Sequence, residues 1–179
     1  MIIGLTGYAQ SGKDTVANIL VEKYGFTRVA FADKLRDLLY EFNPPADGDG
    51  IPDVQEVVDV NGWDIAKVQY PTIRKQLQDL GLAARKVFGE QFWIQQALRE
   101  VHFEGNFVIT DIRFPNEAAA IRKYDNSQIW RISRNGVKAV NQHISETAMD
   151  NEKVDQILMN SGSLEDLNVL INTRMRAYV

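Results

Sequence analysis

The first fifteen residues constrain the chain more than any other stretch. Ile2-Ile3-Gly4-Leu5-Thr6 is a short apolar run, broken by Gly7, four further residues, and then Gly12-Lys13-Asp14-Thr15. Val16, Ala17, Ile19, Leu20 and Val21 follow with apolar residues at helical spacing. A strand that enters a glycine-bracketed turn and leaves it as a helix fits the phosphate-loop pattern. The glycines let backbone N–H groups turn inward on an anion, and the helix N-terminus adds partial positive charge. Lys13 supplies a full charge for β- and γ-phosphates. Gly7, Ser11, Gly12, Lys13, Asp14 and Thr15 are therefore the expected phosphate-holding residues. Asp14 is a departure, because a Ser or Thr whose hydroxyl binds Mg²⁺ is expected there, and Thr15 comes one residue late. Asp14 either holds a metal-bound water or caps the helix, where an acid is favourable without any ligand.

A chain of 179 residues, 45% hydrophobic, can bury one good core, so a single domain over 1–179 is expected. Its net charge of −4 argues against bulk electrostatic binding to polymeric nucleic acid. The basic residues are weighted toward arginine, eleven against nine lysines, and planar bidentate donors suit phosphate better than point charges. There is no Cys, which excludes disulfides and thiolate metal sites, and two histidines, His102 and His143, are too few for a histidine cluster. No stretch has the length of a membrane span or the form of a signal segment, so a soluble cytoplasmic protein is expected.

Strand and helix patterns alternate along the chain. Strands are expected at 1–6, 26–30 (ending at Phe31-Ala32-Asp33), 106–110, 128–133 and 154–159. Helices are expected from Lys34 to Phe42, from Thr72 to Val87, from Gln91 to Val101 and from Asn116 to Tyr124. A terminal helix opens with the capping-box-like Ser163-Leu-Glu-Asp166. Residues 43–53 are Pro/Gly-rich and read as a mobile surface loop, 54–60 as a short helix at most, and 134–150 as polar and irregular. Such alternation implies a three-layer α/β/α arrangement around a mainly parallel sheet. Ligands of these sheets sit beyond the carboxyl ends of the strands, so the segments following each strand should converge on one edge.

Asp111 directly follows the apolar run 106–110. It is either the acid that handles Mg²⁺ in phosphate-loop enzymes or a helix-entry aspartate. Arg113 can balance phosphate charge or pair with that acid. Asp33, Lys34 and Arg36 offer a carboxylate and two cations to an acceptor molecule, or form a solvated charged face. Arg74 and Arg85, eleven residues apart, share one face of a continuous helix and fit a monophosphate. Trp93 stacks on a base or packs in the core, while Phe88, Trp63, Tyr70 and Trp130 read as packing. Arg131 and Arg134 precede the irregular segment carrying Gly136, His143, Ser145 and Glu146, which is either a small lid that brings arginines onto phosphates or an ordinary loop.

Taken together, these residues resemble the bacteriophage deoxynucleoside monophosphate kinases of the nucleoside/nucleotide kinase superfamily. The carrying pieces are Gly7-x-x-x-Ser11-Gly12-Lys13-Asp14-Thr15, Phe31-Ala32-Asp33-x-Leu35-Arg36, and Arg74-x-x-Leu77-Gln78-x-Leu80-Gly81-x-x-x-Arg85. Thr110-Asp111-Ile-Arg113-Phe114-x-Asn116-Glu117 and His143-x-Ser145-Glu146 complete them. Asp14, odd for a general phosphate loop, fits this family. The resemblance implies a P-loop kinase-like fold with a helical acceptor-binding region near 34–103 and a lid near 134–150. It implies transfer of the ATP γ-phosphoryl group to a deoxynucleoside monophosphate, with Mg²⁺, in the cytoplasm of a host if the chain is phage-encoded. Lys13 and its loop would hold ATP, with Asp14, Thr15 and Asp111 toward the metal. Lys13, Asp111, Arg113, Arg131 and Arg134 would form the catalytic and lid side. Asp33, Lys34, Arg36, Arg74, Arg85 and Trp93 would form the acceptor side. No membrane partner is implied, and helices 72–101 are available to pair subunits as a homodimer. The alternatives are another small-molecule kinase of the same fold, of dephospho-coenzyme A or phosphomevalonate type, and a nucleotide-binding switch or assembly protein.

Overall fold

The computed structural model describes residues 1–48, 52–99, 101 and 104–178. The element order is β1 (Ile2–Thr6), α1 (Lys13–Tyr24), β2 (Thr27–Val29), α2 (Phe31–Phe42), α3 (Val54–Gln69), α4 (Pro71–Phe88) and α5 (Phe92–Leu98). Then follow β3 (Phe107–Ile109), α6 (Pro115–Ile121), β4 (Ser127–Ser133), α7 (Ile144–Thr147), β5 (Gln156–Met159) and α8 (Leu164–Met175). The chain falls into two compact units, Met1–Phe31 with Leu98–Val179, and Ala32–Ala97.

The first unit is built on a five-stranded sheet in the order β2-β3-β1-β4-β5, every pair parallel. β1 is buried at all five positions and lies between β3 and β4. That is the environment in which a strand reads as an unbroken apolar run rather than an alternating one. Ile3 and Leu5 join one core cluster with Val16 and Leu20 of α1 and with Leu167 and Ile171 of α8. Gly4 points to the opposite face, toward Ile112, Ile121 and Ile129. Successive strand residues alternate faces, so α1 and α8 cover one side and α6, through Ile121, the other. Trp130 is fully buried in the first cluster. Because all strands run the same way, their carboxyl ends share one edge. Thr6 pairs with Arg131, and the ladders continue past the strands: Thr110 N donates to Val29 O (3.0 Å), Ile112 N to Leu5 O (2.9 Å) and Asn160 N to Ser133 O (2.7 Å).

The second unit is helical and has its own core of Leu39, Ala46, Val54, Val57, Ala66 and Ile73, with Trp63, Tyr70, Leu77 and Leu80 packed against it. α4 is continuous through Gly81, where an added Cβ would lie 3.3 Å from Leu35 Cδ2 of α2.

Several boundaries differ from the sequence expectation. Residues 31–33 begin α2 rather than ending β2, because Asp111 Oδ1 accepts the Phe31 N–H (2.8 Å) and satisfies an N-terminal donor of the helix. The short helix expected at 54–60 extends to Gln69 as two helical pieces joined at Gly62, whose φ is 72°. A capping box between Asp53 and Glu56 starts it. The 43–53 excursion has pinned ends, with an antiparallel bridge between Pro45 and Asp53 and Ala46 fully buried; positions 49–51 lie outside the described residues. α5 ends at Leu98, short of the expected 101, and Glu100 and His102 also lie outside the described residues. The irregular 134–150 segment contains the short α7. Phe88, expected to pack, is 67% exposed, although its ring stacks on Phe92 with centroids 4.9 Å apart.

Candidate active site at the carboxyl edge of the sheet

The loop after β1 is shaped by two glycines in the left-handed region. Gly7 has φ 130°, and a Cβ there would fall 2.2 Å from Ile132 O, a backbone atom of β4 that has no freedom to retreat. Gly12 has φ 102° and forms the N-cap of α1, and a Cβ there would fall 2.1 Å from Asn160 Nδ2. Only a residue without a side chain follows this path. Ser11 N donates to Tyr8 O (3.2 Å), which closes the turn. Ser11 is 1% exposed, and its Oγ meets no hydrogen-bonding partner among the described residues.

Lys13 folds back over the loop and donates from Nζ to Gly7 O (2.7 Å) and Tyr8 O (2.8 Å). Burial, and then the nearby Arg113 guanidinium, push its pKa down to about 8, while Asp14, Asp111 and Glu146 act in the opposite direction. A half-buried ammonium resting on carbonyl oxygens is poised to exchange them for an anion. Around it lies a cleft of about 290 Å³ lined by Gly7, Tyr8, Ser11 and Lys13 from the loop, Asp111 and Arg113 after β3, and Arg131 and Arg134 of β4 and beyond. Glu146, Met149 and Asp150 of the 134–150 segment close its wall.

Each predicted residue of this unit can be placed. Asp111 lines the cleft and also caps α2 through Oδ1, so the helix-entry role and the cleft position coexist. Arg113 donates from Nη1 to Glu146 Oε1 (3.3 Å), so its carboxylate partner here is Glu146. The backbone N–H groups of Arg113 and Phe114 both donate to Glu117 Oε2 (2.7 and 3.0 Å), which fixes where Arg113 leaves the chain. Arg131 donates to the carbonyls of Met149 and Glu152 and thereby anchors the end of the 134–150 segment. Arg134 is exposed at the cleft mouth. Asp14 and Thr15 sit in the first turn of α1, outside the residues that line the cleft. His143 is the N-cap of α7, its side chain accepting from Ser145 N.

Two residues of the site, Tyr8 and Asn160, lie outside the sequence expectation, and a third, Glu146, gains a defined partner. Tyr8 donates its hydroxyl to Asp150 Oδ2 (3.0 Å), and that bond, ahead of burial, raises its pKa. Glu146, expected in the polar segment and in the His143-x-Ser145-Glu146 piece, pairs with Arg113 and has a side chain 4% exposed inside the cleft wall. Asn160 donates from Nδ2 to Ser11 O (2.9 Å). The position of Asn160, one residue past a strand, was the available signal, since the same rule selected Asp111.

The residues expected on the acceptor side lie in the helical unit. On α2, Arg36 Nη1 pairs with Asp33 Oδ1 (3.3 Å), and Lys34 with Asp37 (3.5 Å) at the surface. Arg74 and Arg85 lie on the uninterrupted α4, three turns apart, and both are half-buried. Trp93 is 6% exposed, with its indole N–H donating to Gly81 O (3.0 Å) and Phe92 edge-on to its ring at 4.8 Å. That is a packed ring rather than an open platform, and of the two expected fates the structure gives it packing.

Mg²⁺ bound together with a nucleotide needs only one or two protein carboxylates. Asp111, at the cleft wall with Lys13, is a hard oxygen donor of the kind this would need, and the buried Ser11 hydroxyl beside Gly7 is compatible with an anion. Among the described residues no group of three or more His, Cys, Asp or Glu converges as an all-protein metal cage.

A parallel sheet whose central strand feeds a glycine loop, a half-buried lysine and a helix N-terminus, with arginines at the same edge, defines a phosphate-loop nucleotide-binding enzyme. The model of the deoxynucleotide monophosphate kinase family matches residues 54–171. The chain belongs to that family and is a nucleotide kinase. It is 28% identical over 93% of its length to a protein of Acanthamoeba polyphaga mimivirus named as a deoxynucleotide monophosphate kinase, and covers 91% of that protein. It is 29% identical to the deoxynucleotide monophosphate kinase of Escherichia phage RB69, over 59% of this chain and 45% of that one. Among solved structures, shikimate kinase of Aquifex aeolicus is similar at 13% identity and a TM-score of 0.49, covering 99% of this chain and 97% of its own. The fold assignment rests on the strand order and loop of this chain, not on that likeness.

Proposed function

We propose that the protein transfers the γ-phosphoryl group of ATP to a deoxynucleoside 5′-monophosphate, giving the diphosphate. The observation that carries the reading is the half-buried Lys13, held on carbonyls of a glycine loop inside a cleft that also holds Arg113 and Asp111. Family membership supports the acceptor class. Phosphoryl transfer needs little covalent help from protein groups; it needs alignment and positive charge around the migrating group.

On this reading the loop amides of 7–13 and the α1 N-terminus receive the β- and γ-phosphates, and Lys13 leaves its carbonyl partners for them. The Ser11 hydroxyl donates to the same anion. Arg113 and Arg134 neutralise charge on the transferred group, while Arg131, tied to the Met149 and Glu152 carbonyls, holds the 134–150 segment as a lid. Asp111 would hold Mg²⁺, with Asp14 or Thr15 reaching it through water, and the ion would offset charge on the phosphate oxygens. Arg74 and Arg85 take the acceptor monophosphate, Asp33, Lys34 and Arg36 its sugar and base end, and Trp93 stiffens the helices that carry them. The reaction takes place in the cytoplasm, with no polymeric nucleic acid and no membrane involved, and α4 is the surface available to a homodimer. No described helix is long and apolar enough to cross a membrane.

The test is a coupled ADP-release assay with ATP–Mg²⁺ against a panel of deoxynucleoside monophosphates, ribonucleoside monophosphates, dephospho-coenzyme A and phosphomevalonate. Turnover with one or more deoxynucleotides supports the proposal. Turnover with a non-nucleotide acceptor alone sinks it.

A further inference from the structure

We infer that Asn160 is a positioning residue for the phosphate loop, holding the Ser11–Gly12 peptide in the orientation that presents an N–H rather than a carbonyl to a bound anion. The inference rests on the nucleotide-binding reading above and assigns a role to a residue outside the loop itself. Asn160 N donates to Ser133 O (2.7 Å), one step beyond the β4–β5 ladder, so its backbone is fixed to the sheet. Its Nδ2 reaches across 149 positions of sequence to Ser11 O at 2.9 Å, in a partly buried setting. The same nitrogen stands 2.1 Å from where a Gly12 Cβ would be. The next residue, Ser161, accepts the Asn135 N–H on its Oγ (3.1 Å), so the β5 end also braces the start of the 134–150 segment.

A trans peptide is planar, with its carbonyl and N–H pointing opposite ways. Holding Ser11 O toward Asn160 therefore aims the Gly12 N–H to the other side. Gly12 sits at φ 102°, where a residue without a Cβ has several accessible conformations, so rotation of this peptide is inexpensive unless something prevents it. A rotated peptide would turn a carbonyl oxygen on the phosphate, replacing a charge-assisted hydrogen bond by repulsion. Breaking the Asn160 bond would leave a partly buried acceptor unmade, and that opposes the rotation.

Wild type, Asn160→Asp and Asn160→Ala are to be compared by titration calorimetry with ATP–Mg²⁺ and with inorganic tripolyphosphate, at 0.05 and 0.5 M KCl. Steady-state KM values for ATP and for the acceptor complete the set. Asn160→Asp keeps the shape of the side chain but replaces its donor by an acceptor, so it tests the bond even if the alanine variant fails to fold. Expected is a loss of about tenfold or more in affinity for both triphosphates that persists at 0.5 M salt, where the screening length is only about 4 Å. The KM for ATP should rise while that of the acceptor stays within about twofold. Unchanged affinity in the aspartate variant overturns the inference. So does a defect that disappears at high salt, which would be charge alone, or a proportional rise in both KM values, which would be general loosening. A wild-type protein that binds neither triphosphate removes the nucleotide-binding reading and this inference with it.

Discussion

Lys13, half-buried under the Gly7 and Tyr8 carbonyls, is the residue whose charge the fold most disfavours among those described. Its ordinary value of 10.5 falls to about 8, chiefly through burial, so the folded state disfavours its charge. The sign follows from proton counts. Between about 8 and 10.5 the unfolded chain binds more protons at this residue than the folded one, so stability rises with pH across that window. The span corresponds to about 3 kcal/mol. Urea unfolding of wild type and Lys13→Met from pH 7.5 to 10.5 should show the wild type gaining on the variant by up to that amount; a flat difference would refute it. Lys13→Ala should lower kcat/KM by about three orders of magnitude or more, as expected for loss of a phosphate-stabilising charge. Gly7→Ala should both abolish triphosphate binding and lower stability by more than about 1 kcal/mol, because its φ of 130° and the Ile132 carbonyl leave a side chain no room. Chemical denaturation with a parallel ATP titration checks both halves.

At the scale of elements, the strands and the first helix were legible because their signals are local. β1 and β3 are apolar runs that end abruptly, and α1 follows its loop at once. What was not legible depended on partners far away in sequence. The start of α2 is set by Asp111, eighty positions later, which no window around Phe31 contains. Only 54–60 of α3 reads as a helix, because Gly62 interrupts the periodicity while Ala66 still packs in the helical core. In the site, the glycine loop and Asp111 follow from strand ends, whereas Glu146 and Tyr8 are placed by bonds to Arg113 and Asp150, partners distant in sequence. α6 supplies a prediction of its own. Glu117 is 4% exposed and accepts from both Arg113 N and Phe114 N. Glu117→Ala should cost about 2 kcal/mol by leaving two donors unmade, and should lower kcat by freeing Arg113. Urea unfolding and steady-state kinetics read the two effects separately.

For the molecule as a whole, ligand binding and the division of labour between its units give the clearest tests. ATP–Mg²⁺ at one hundred times its Kd should stabilise the protein by about 2.7 kcal/mol. Thermal shift should show this in wild type and show none of it in Lys13→Ala. Arg85→Ala, in the helical unit, should raise the acceptor KM about tenfold and leave that of ATP nearly unchanged. The reverse pattern would mean that the two half-sites are exchanged.

The strand order has a further consequence for how the chain is made. β1 precedes both of its sheet partners in the chain: Ile2 aligns with Phe107 on one side and with Ser127 on the other. Parallel pairing over such separations is slow to close, and β1, buried along its whole length in the sheet, must wait unpaired while more than a hundred residues are added. The helical unit, complete at Ala97, is free to fold during that interval. Nascent chains released at about residue 100 should therefore show helical structure while β1 remains open to proteases or to chaperones.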